Sequence, residues 1–236
     1  MEKKTASISA IIIKGDKIDE GLYKKCLRSV EWCNETVIVP GVNGTFSEYR
    51  NEGAKKAKSD WLLYVDTDEE VTPELKDQIL KVVQSDEFSA YAFPRRNFIF
   101  GKEFKHGGMW PDFVLRLIKK DKLEKWEGDL HEQPKIKGEI CHLKEPLIHH
   151  KHKDLSEMVD KTNEWSEVEA RLMFNAKHPP MNIFRFASAA AREFWHRMII
   201  QLAFLDGTEG VIYALYQVYS RLISYSKLWE MQIKKT

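Results

Sequence analysis

Apolar positions along the first 150 or so residues switch between two periods. Ser7 to Ile13 is a nearly continuous apolar run, the pattern of a buried strand. From Glu20 to Val30 the spacing changes: Leu22, Cys26 and Val30 fall four apart and predict a helix with one buried face. Thr36 to Val39 predicts a second strand, closed by a Pro-Gly turn. Glu48 to Lys58 predicts a second helix, Trp61 to Val65 a third strand, and Pro73 to Gln84 a third helix with Leu75, Ile79, Leu80 and Val83 on one side. Alternation of this kind predicts an α/β fold, a parallel sheet covered by helices. From Ser89 short strands take over, at Ser89 to Pro94, Phe98 to Phe100 and Phe113 to Ile118, with a loop from Gly101 to Asp112.

Beyond about residue 153 only helical periodicity is left. Leu155 to Asn175 is one helix, stopped by Pro179-Pro180; Asn182 to Leu205 is a second; Thr208 to Lys234 is a third. The pattern divides the chain into an α/β domain over 1–153 and a helical region over 154–236. The last two helices carry wide apolar and aromatic faces, and between Met181 and Thr236 seven Lys/Arg stand against four Asp/Glu. Periodicity alone allows two readings: a helical hairpin packed on the first domain or on a second subunit, or a surface lying at a membrane interface.

Composition narrows the class. The 236 residues are 43% apolar and 31% charged, enough for a full core. A net charge of +1 gives no electrostatic argument for nucleic acid. Cys26, Cys33 and Cys141 are odd in number and scattered, which argues against a disulfide framework and fits a reducing, cytoplasmic compartment. The short apolar stretch near the start reads as a first strand rather than a signal peptide. No uncharged apolar run approaches the roughly 18 residues of a transmembrane helix.

The chemistry gathers where the third predicted strand ends. Tyr64-Val65-Asp66-Thr67-Asp68-Glu69 places two carboxylates at i and i+2, on one side of an extended chain and about 7 Å apart. Carboxylates aimed together favour a hard divalent cation such as Mg²⁺ or Mn²⁺, which completes its shell with substrate phosphates. Ligands also bind beyond the carboxyl ends of strands in open α/β sheets. The plain alternative is an acidic turn before the helix start Thr72-Pro73-Glu74. Arg50-Asn51-Glu52-Gly53 precedes this strand, and an arginine fork there suits phosphate. His106-Gly107-Gly108-Met109-Trp110-Pro111-Asp112 offers paired glycines for close backbone approach, and Asp112, Asp129 and Glu132 are candidate bases. The ordinary reading of each carboxylate is solvation or an arginine partner, with Arg116 close to Asp112 in sequence. In His149-His150-Lys151-His152, an imidazole such as His150 could complete a metal shell.

In order and spacing these pieces resemble family-2 glycosyltransferases of GT-A fold, most closely the bacterial branch with lipopolysaccharide-core glucosyltransferases. Ser9 to Ile13 looks like the family's first strand; Arg50 to Ala54 with Asp60 to Glu69, Lys105 to Leu117, His131-Glu132 and His149-His150 are similar to its successive motifs. The resemblance implies a Rossmann-like mixed sheet flanked by helices, with a C-terminal helical extension. It implies inverting transfer of a sugar from a nucleotide-sugar donor to a hydroxyl of a cell-surface glycan or glycolipid, on the cytoplasmic side of the membrane. Asp68 would hold Mn²⁺ or Mg²⁺, with Asp66 and His150 beside it. Arg50, Asn51, Asp66, Gly107, Gly108 and His131 would bind the donor. Glu132 is the first choice for the base and Asp112 the second. One segment departs from the family pattern: in Val37-Ile38-Val39-Pro40-Gly41, Pro40 stands where a base-reading Asp is usual. That departure motivates an alternative, a catalytically degenerate binding protein on the same scaffold.

Overall fold

The computed structural model describes residues 6–85, 87–128 and 132–234. The chain forms two compact units: Met1–Arg96 with Pro111–His150, and Asn97–Trp110 with Lys151–Thr236. The segment 97–110 therefore goes with the C-terminal helices and not with the chain that flanks it.

The first unit is α/β. Its strands are β1 (Ile8–Gly15), β2 (Glu35–Gly41), β3 (Trp61–Tyr64), β4 (Glu69–Val71), and the first part of β5 (Ala90–Ile99). After β6 (Lys102–Phe104), which belongs to the second unit, come β7 (Asp112–Lys119), β8 (Leu123–Glu127), β9 (Gln133–Ile136), β10 (Ile140–His142) and most of β11 (Leu147–His152). The main sheet has the order β2-β1-β3-β7-β5-β11-β4, with β10 beside β5. β1 runs parallel to β2 and β3, while β7 is antiparallel to both β3 and β5. The sheet is thus mixed, as the family resemblance implied and not parallel throughout as the alternation of its first elements predicted, because β7 enters between β3 and β5 running against both. β8 and β9 form a separate antiparallel pair.

Alternation along β1 loads both faces. Ile8, Ala10 and Ile12 join Leu63 and the inward faces of α1 (Glu20–Ser29) and α3 (Pro73–Ser85), which contribute Cys26, Leu75 and Ile79. Ile11 and Ile13 point the other way, to Val39, Tyr49 of α2 (Phe46–Lys56), Tyr64 and Trp126. Asp19 caps α1 and a Thr45/Glu48 capping box opens α2. Gly53 lets α2 sit close on the sheet: a Cβ there would lie 2.4 Å from Ile11 Cγ2. The turn read as a helix cap contains a strand, since Glu69–Val71 pairs antiparallel with Leu147–His149 before α3 begins.

The second unit contains β6, paired with residues 97–99, and the helices α4 (Leu155–Asn175), α5 (Ile183–Trp195) and α6 (Gly207–Ile233). The helix expected over 182–205 is broken. It widens into a π turn over His196–Ile200, stops at Leu202 with φ 54°, and resumes as a 3₁₀ turn over Ala203–Asp206. Asp206 is buried, accepts from the backbone N–H groups of Lys105 and His106, and lies 3.0 Å from His106 Nδ1. Among the described residues no single helix is long and apolar enough to cross a membrane.

Candidate active site

The carboxyl end of β3 in the first unit carries a compact network of arginines and carboxylates. Arg50 is almost wholly buried in the middle of α2, where its guanidinium lies over the rings of Trp126 and Tyr64, 4.8 Å and 5.6 Å away. From there its Nη2 donates to Asp66 Oδ1 at 3.0 Å, and its Nε donates to Glu132 Oε1 at 3.1 Å. Arg116 of β7 donates to Asp66 Oδ2 and, at 2.9 Å, to Glu69 Oε1. Glu69 is fully buried; its other oxygen accepts from the Asp66 backbone N–H at 3.0 Å. Arg95 of β5 donates twice to Asp112 Oδ2, at 2.7 and 3.0 Å, and reaches Glu69 at 3.5 Å.

These pairings set the electrostatics. Burial pushes the Asp66 carboxyl up, but the Arg116 and Arg50 guanidiniums outweigh it and hold it well below the usual carboxylate range. Burial would lower Arg116, yet Asp66 and Glu69 raise it above its ordinary value. Burial, reinforced by Glu69 and Asp66, pushes the Cys26 thiol up; its Sγ donates to the Asp66 carbonyl at 3.3 Å. Burial raises Tyr64 to about 12, against smaller opposing effects of Trp126 and Arg50. Cys26 and Tyr64 are packing groups here, not nucleophiles.

The sequence-predicted residues fall into three groups. Arg50, Asp66 and Glu132 meet directly, although Glu132 is distant in sequence. Asp112 joins the same network through Arg95; Arg116, its neighbour in the sequence, is turned to Asp66 and Glu69 instead. Asn51 is engaged structurally, since its side chain donates to the Trp126 carbonyl and accepts from the Trp126 N–H, at 2.9 and 2.8 Å. Gly107 and Gly108 belong to the second unit. Both have positive φ, the backbone conformation that favours glycine, and a Cβ on Gly108 would lie 2.6 Å from the Gln201 side-chain amide. His131 and Asp129 lie outside the described residues.

The expected metal trio does not converge. Among the described residues no group of three His, Cys, Asp or Glu side chains is arranged to hold a metal. Asp66 is engaged by arginines and His150 Nε2 lies 2.8 Å from Glu70 Oε1. His149, not His150, is the imidazole beside Asp68, with Nε2 to Oδ2 at 3.8 Å. A divalent ion held by one or two protein groups and substrate phosphates needs no such trio, and the carboxylate of Asp68 is of the right chemistry for it.

Arg95, Arg116 and Glu69 organise the site but were not among the residues expected to form it. Two signals were available. Asp112, Val114 and Arg116 share one face of a strand by their spacing, and Glu69 continues the acidic run. The partnership of Arg95 with Asp112 depends on strand register, in which the two are direct partners across β5 and β7.

Residues 26–138, a little under half the chain, match the model of glycosyl transferase family 2. The match spans the arginine–carboxylate network, from α1 through Glu132. The chain is also 23% identical over 190 residues to an uncharacterized glycosyltransferase of Rickettsia bellii (strain RML369-C), over 75% of this chain and 64% of that relative's length. Two solved structures of S. aureus TarS align over 94% and 98% of the chain, and over 54% and 92% of theirs. These alignments are 9% and 10% identical, with TM-scores of 0.41 and 0.40. Both likenesses are to glycosyltransferases, and the chain spans just under two thirds of the Rickettsia relative's length.

Proposed function

We propose that a chain matching glycosyl transferase family 2 over residues 26–138 moves a sugar from a nucleotide-sugar donor to a hydroxyl of a cell-surface glycan or lipopolysaccharide acceptor, with inversion. The observation that carries this reading is Arg50 joining Asp66, at the end of β3, to Glu132. It places a candidate base and the donor-side acid on one buried guanidinium. Glu132 would accept the acceptor hydroxyl proton while that oxygen bonds to the anomeric carbon. The bond from that carbon to the diphosphate breaks on the opposite face and the nucleoside diphosphate leaves, so a single displacement inverts the centre. Arg50 and Arg116 would meet diphosphate oxygens in exchange for part of their contact with Asp66. Mn²⁺ or Mg²⁺ held by Asp68 beside His149 would supply neutralisation of the leaving diphosphate. Asp112, held by Arg95, is the second choice for the base.

A second reading, a catalytically degenerate binding protein, is favoured by two features. Pro40 lies on β2, in place of a side chain that could read a base, and both oxygens of Asp66 are held by arginine. Thermal-shift measurement with a panel of nucleotide sugars, with and without Mn²⁺, separates the two. Stabilisation by at least one donor, enhanced by Mn²⁺ and lost in Asp68→Asn, supports the enzyme. No stabilisation by any nucleotide sugar supports the binding protein.

A further inference from the structure

We propose that α5 and the turns that follow it lie in the surface of an anionic lipid bilayer. The inference concerns the second unit alone and is independent of the function proposed above. Three features of α5 carry it.

The first is an apolar stripe that the unit leaves uncovered. Phe186 and Ala189 pack inward. On the outer side Phe184, Ala187, Ala191, Phe194 and Trp195 recur at spacings of three and four, one face of a helix. Phe184 is 81% and Trp195 59% exposed. Beyond the π turn the exposed apolar surface continues through Ile200, Phe204 and Leu205. Exposed large apolar side chains recurring along one helix face mark an interaction surface.

The second is charge. Arg185, Arg192 and His196 are exposed and recur at seven and four residues, forming a row along one edge of the stripe. No ion pair to Arg185 or Arg192 exists among the described residues. Arg192, His196 and Arg221 also line a groove of about 420 Å³ between α5 and α6, the size and charge for phosphate headgroups. The acid in that groove, Glu193, is bound to Arg197 at 2.8 Å and lies 3.9 Å from Arg221. A second copy docked by two-fold symmetry with its α5 antiparallel would set Arg185 and Arg192 against the same residues of the copy, and Glu193 and Asp206, the acids of 183–206, are already engaged. An anionic surface has the complementary charge.

The third is the bend. The segments Ile183–Ile200 and Ala203–Ile233 satisfy the length and composition of a membrane span only as a pair, and they meet at 63°. Arg185, Arg192, Glu193 and Arg197 fall within the first segment, an arrangement that suits the interface and not the hydrocarbon core. Basic and aromatic side chains beside an apolar face are the features of a helix lying in the headgroup region.

Flotation of the full chain tests this, using phosphatidylcholine vesicles with and without about one-third phosphatidylglycerol. The chain is expected to float with the anionic vesicles and much less with the neutral ones. Arg185→Gln and Arg192→Gln should each weaken partitioning about fivefold. Phe184→Ser and Trp195→Ser should each weaken it about tenfold or more. Both positions are exposed, so these variants keep the fold; unchanged circular dichroism checks this. Equal flotation with both vesicle types, or arginine variants that bind as the parent does, overturns the proposal. So does a parent chain that stays unbound, including one that elutes as a dimer which Phe184→Ser converts to monomer.

Discussion

Arg50 and Glu132 are 82 residues apart in the chain, and Arg50 Nη2 lies 3.0 Å from Glu132 Oε1. The same guanidinium holds Asp66, so one side chain of α2 ties the end of β3 to the segment before β9. Replacing it leaves two carboxylates facing each other with only Arg116 on Asp66. Arg50→Ala is therefore expected to lower unfolding free energy by about 3 kcal/mol, the range for breaking one partner out of a buried pair. Arg50→Lys should recover part of the charge effect but not the two-sided fork. Urea denaturation of the three chains checks the order.

Gly53 gives a test in which two effects oppose. Glycine to alanine inside a helix normally gains about 1 kcal/mol. Here the new Cβ would stand 2.4 Å from Ile11 Cγ2 and 3.3 Å from Val39 Cγ2, both fixed in the core. Overpacking of about 1–3 kcal/mol should outweigh the helix gain. Gly53→Ala is expected to destabilise by about 1 kcal/mol, read from the denaturation midpoint; a stabilised variant would show that α2 can move off the sheet.

Asp66 sets an acid limb. Its carboxyl is held below its unfolded value of about 3.9, so the stabilisation it contributes is complete above that value and is lost as pH falls through the folded one. The stability advantage of the parent over Asp66→Asn should be constant from about pH 7 to about pH 5 and shrink below about pH 4. Urea midpoints across that range give the answer. An advantage that grew on acidification would mean that the arginines are not the dominant influence on Asp66.

His152 sets a second limb in the second unit. Burial pushes its imidazole down from 6.5 to about 4, with Lys151 adding to the shift, and its Nδ1 is buried with no hydrogen-bond partner among the described residues. A histidine lowered on folding must stay neutral, so its contribution is whole above the unfolded value and declines as pH falls from 6.5 towards 4. His152→Leu should flatten the melting temperature between about pH 7 and about pH 5 relative to the parent. Parallel curves for the two chains would argue against a buried neutral imidazole.

Strongly periodic elements were legible in the sequence because local burial decides them. The helix read at 155–175 is Leu155–Asn175, and the run Trp61 to Val65 supplies β3. What was not legible depends on distant partners. Glu69–Val71 becomes a strand only because Leu147–His149 pairs with it, and no local pattern announces three residues. The break after Ile200 falls at Leu202, where no glycine or proline marks it. At the site, the acidic run and Arg50 were readable from composition and spacing. The arginine that holds Asp112 was not, because Arg95 meets it through strand register. Asn51 looked like a ligand group in the chain, and its amide proves to be a clamp on Trp126.

The Arg50–Asp66–Glu132 network with Asp68 is the donor site of the sugar transfer proposed for this chain. Its most direct test is release of nucleoside diphosphate from a panel of nucleotide sugars by the full chain, with Mn²⁺ and a glycan acceptor extract. The parent is expected to turn over at least one donor, with the rate down by about 100-fold or more in Asp68→Asn and in Glu132→Gln, the scale of losing a charge-stabilising group or a general base. Turnover that both variants retain, or none with any donor, would contradict the assignment.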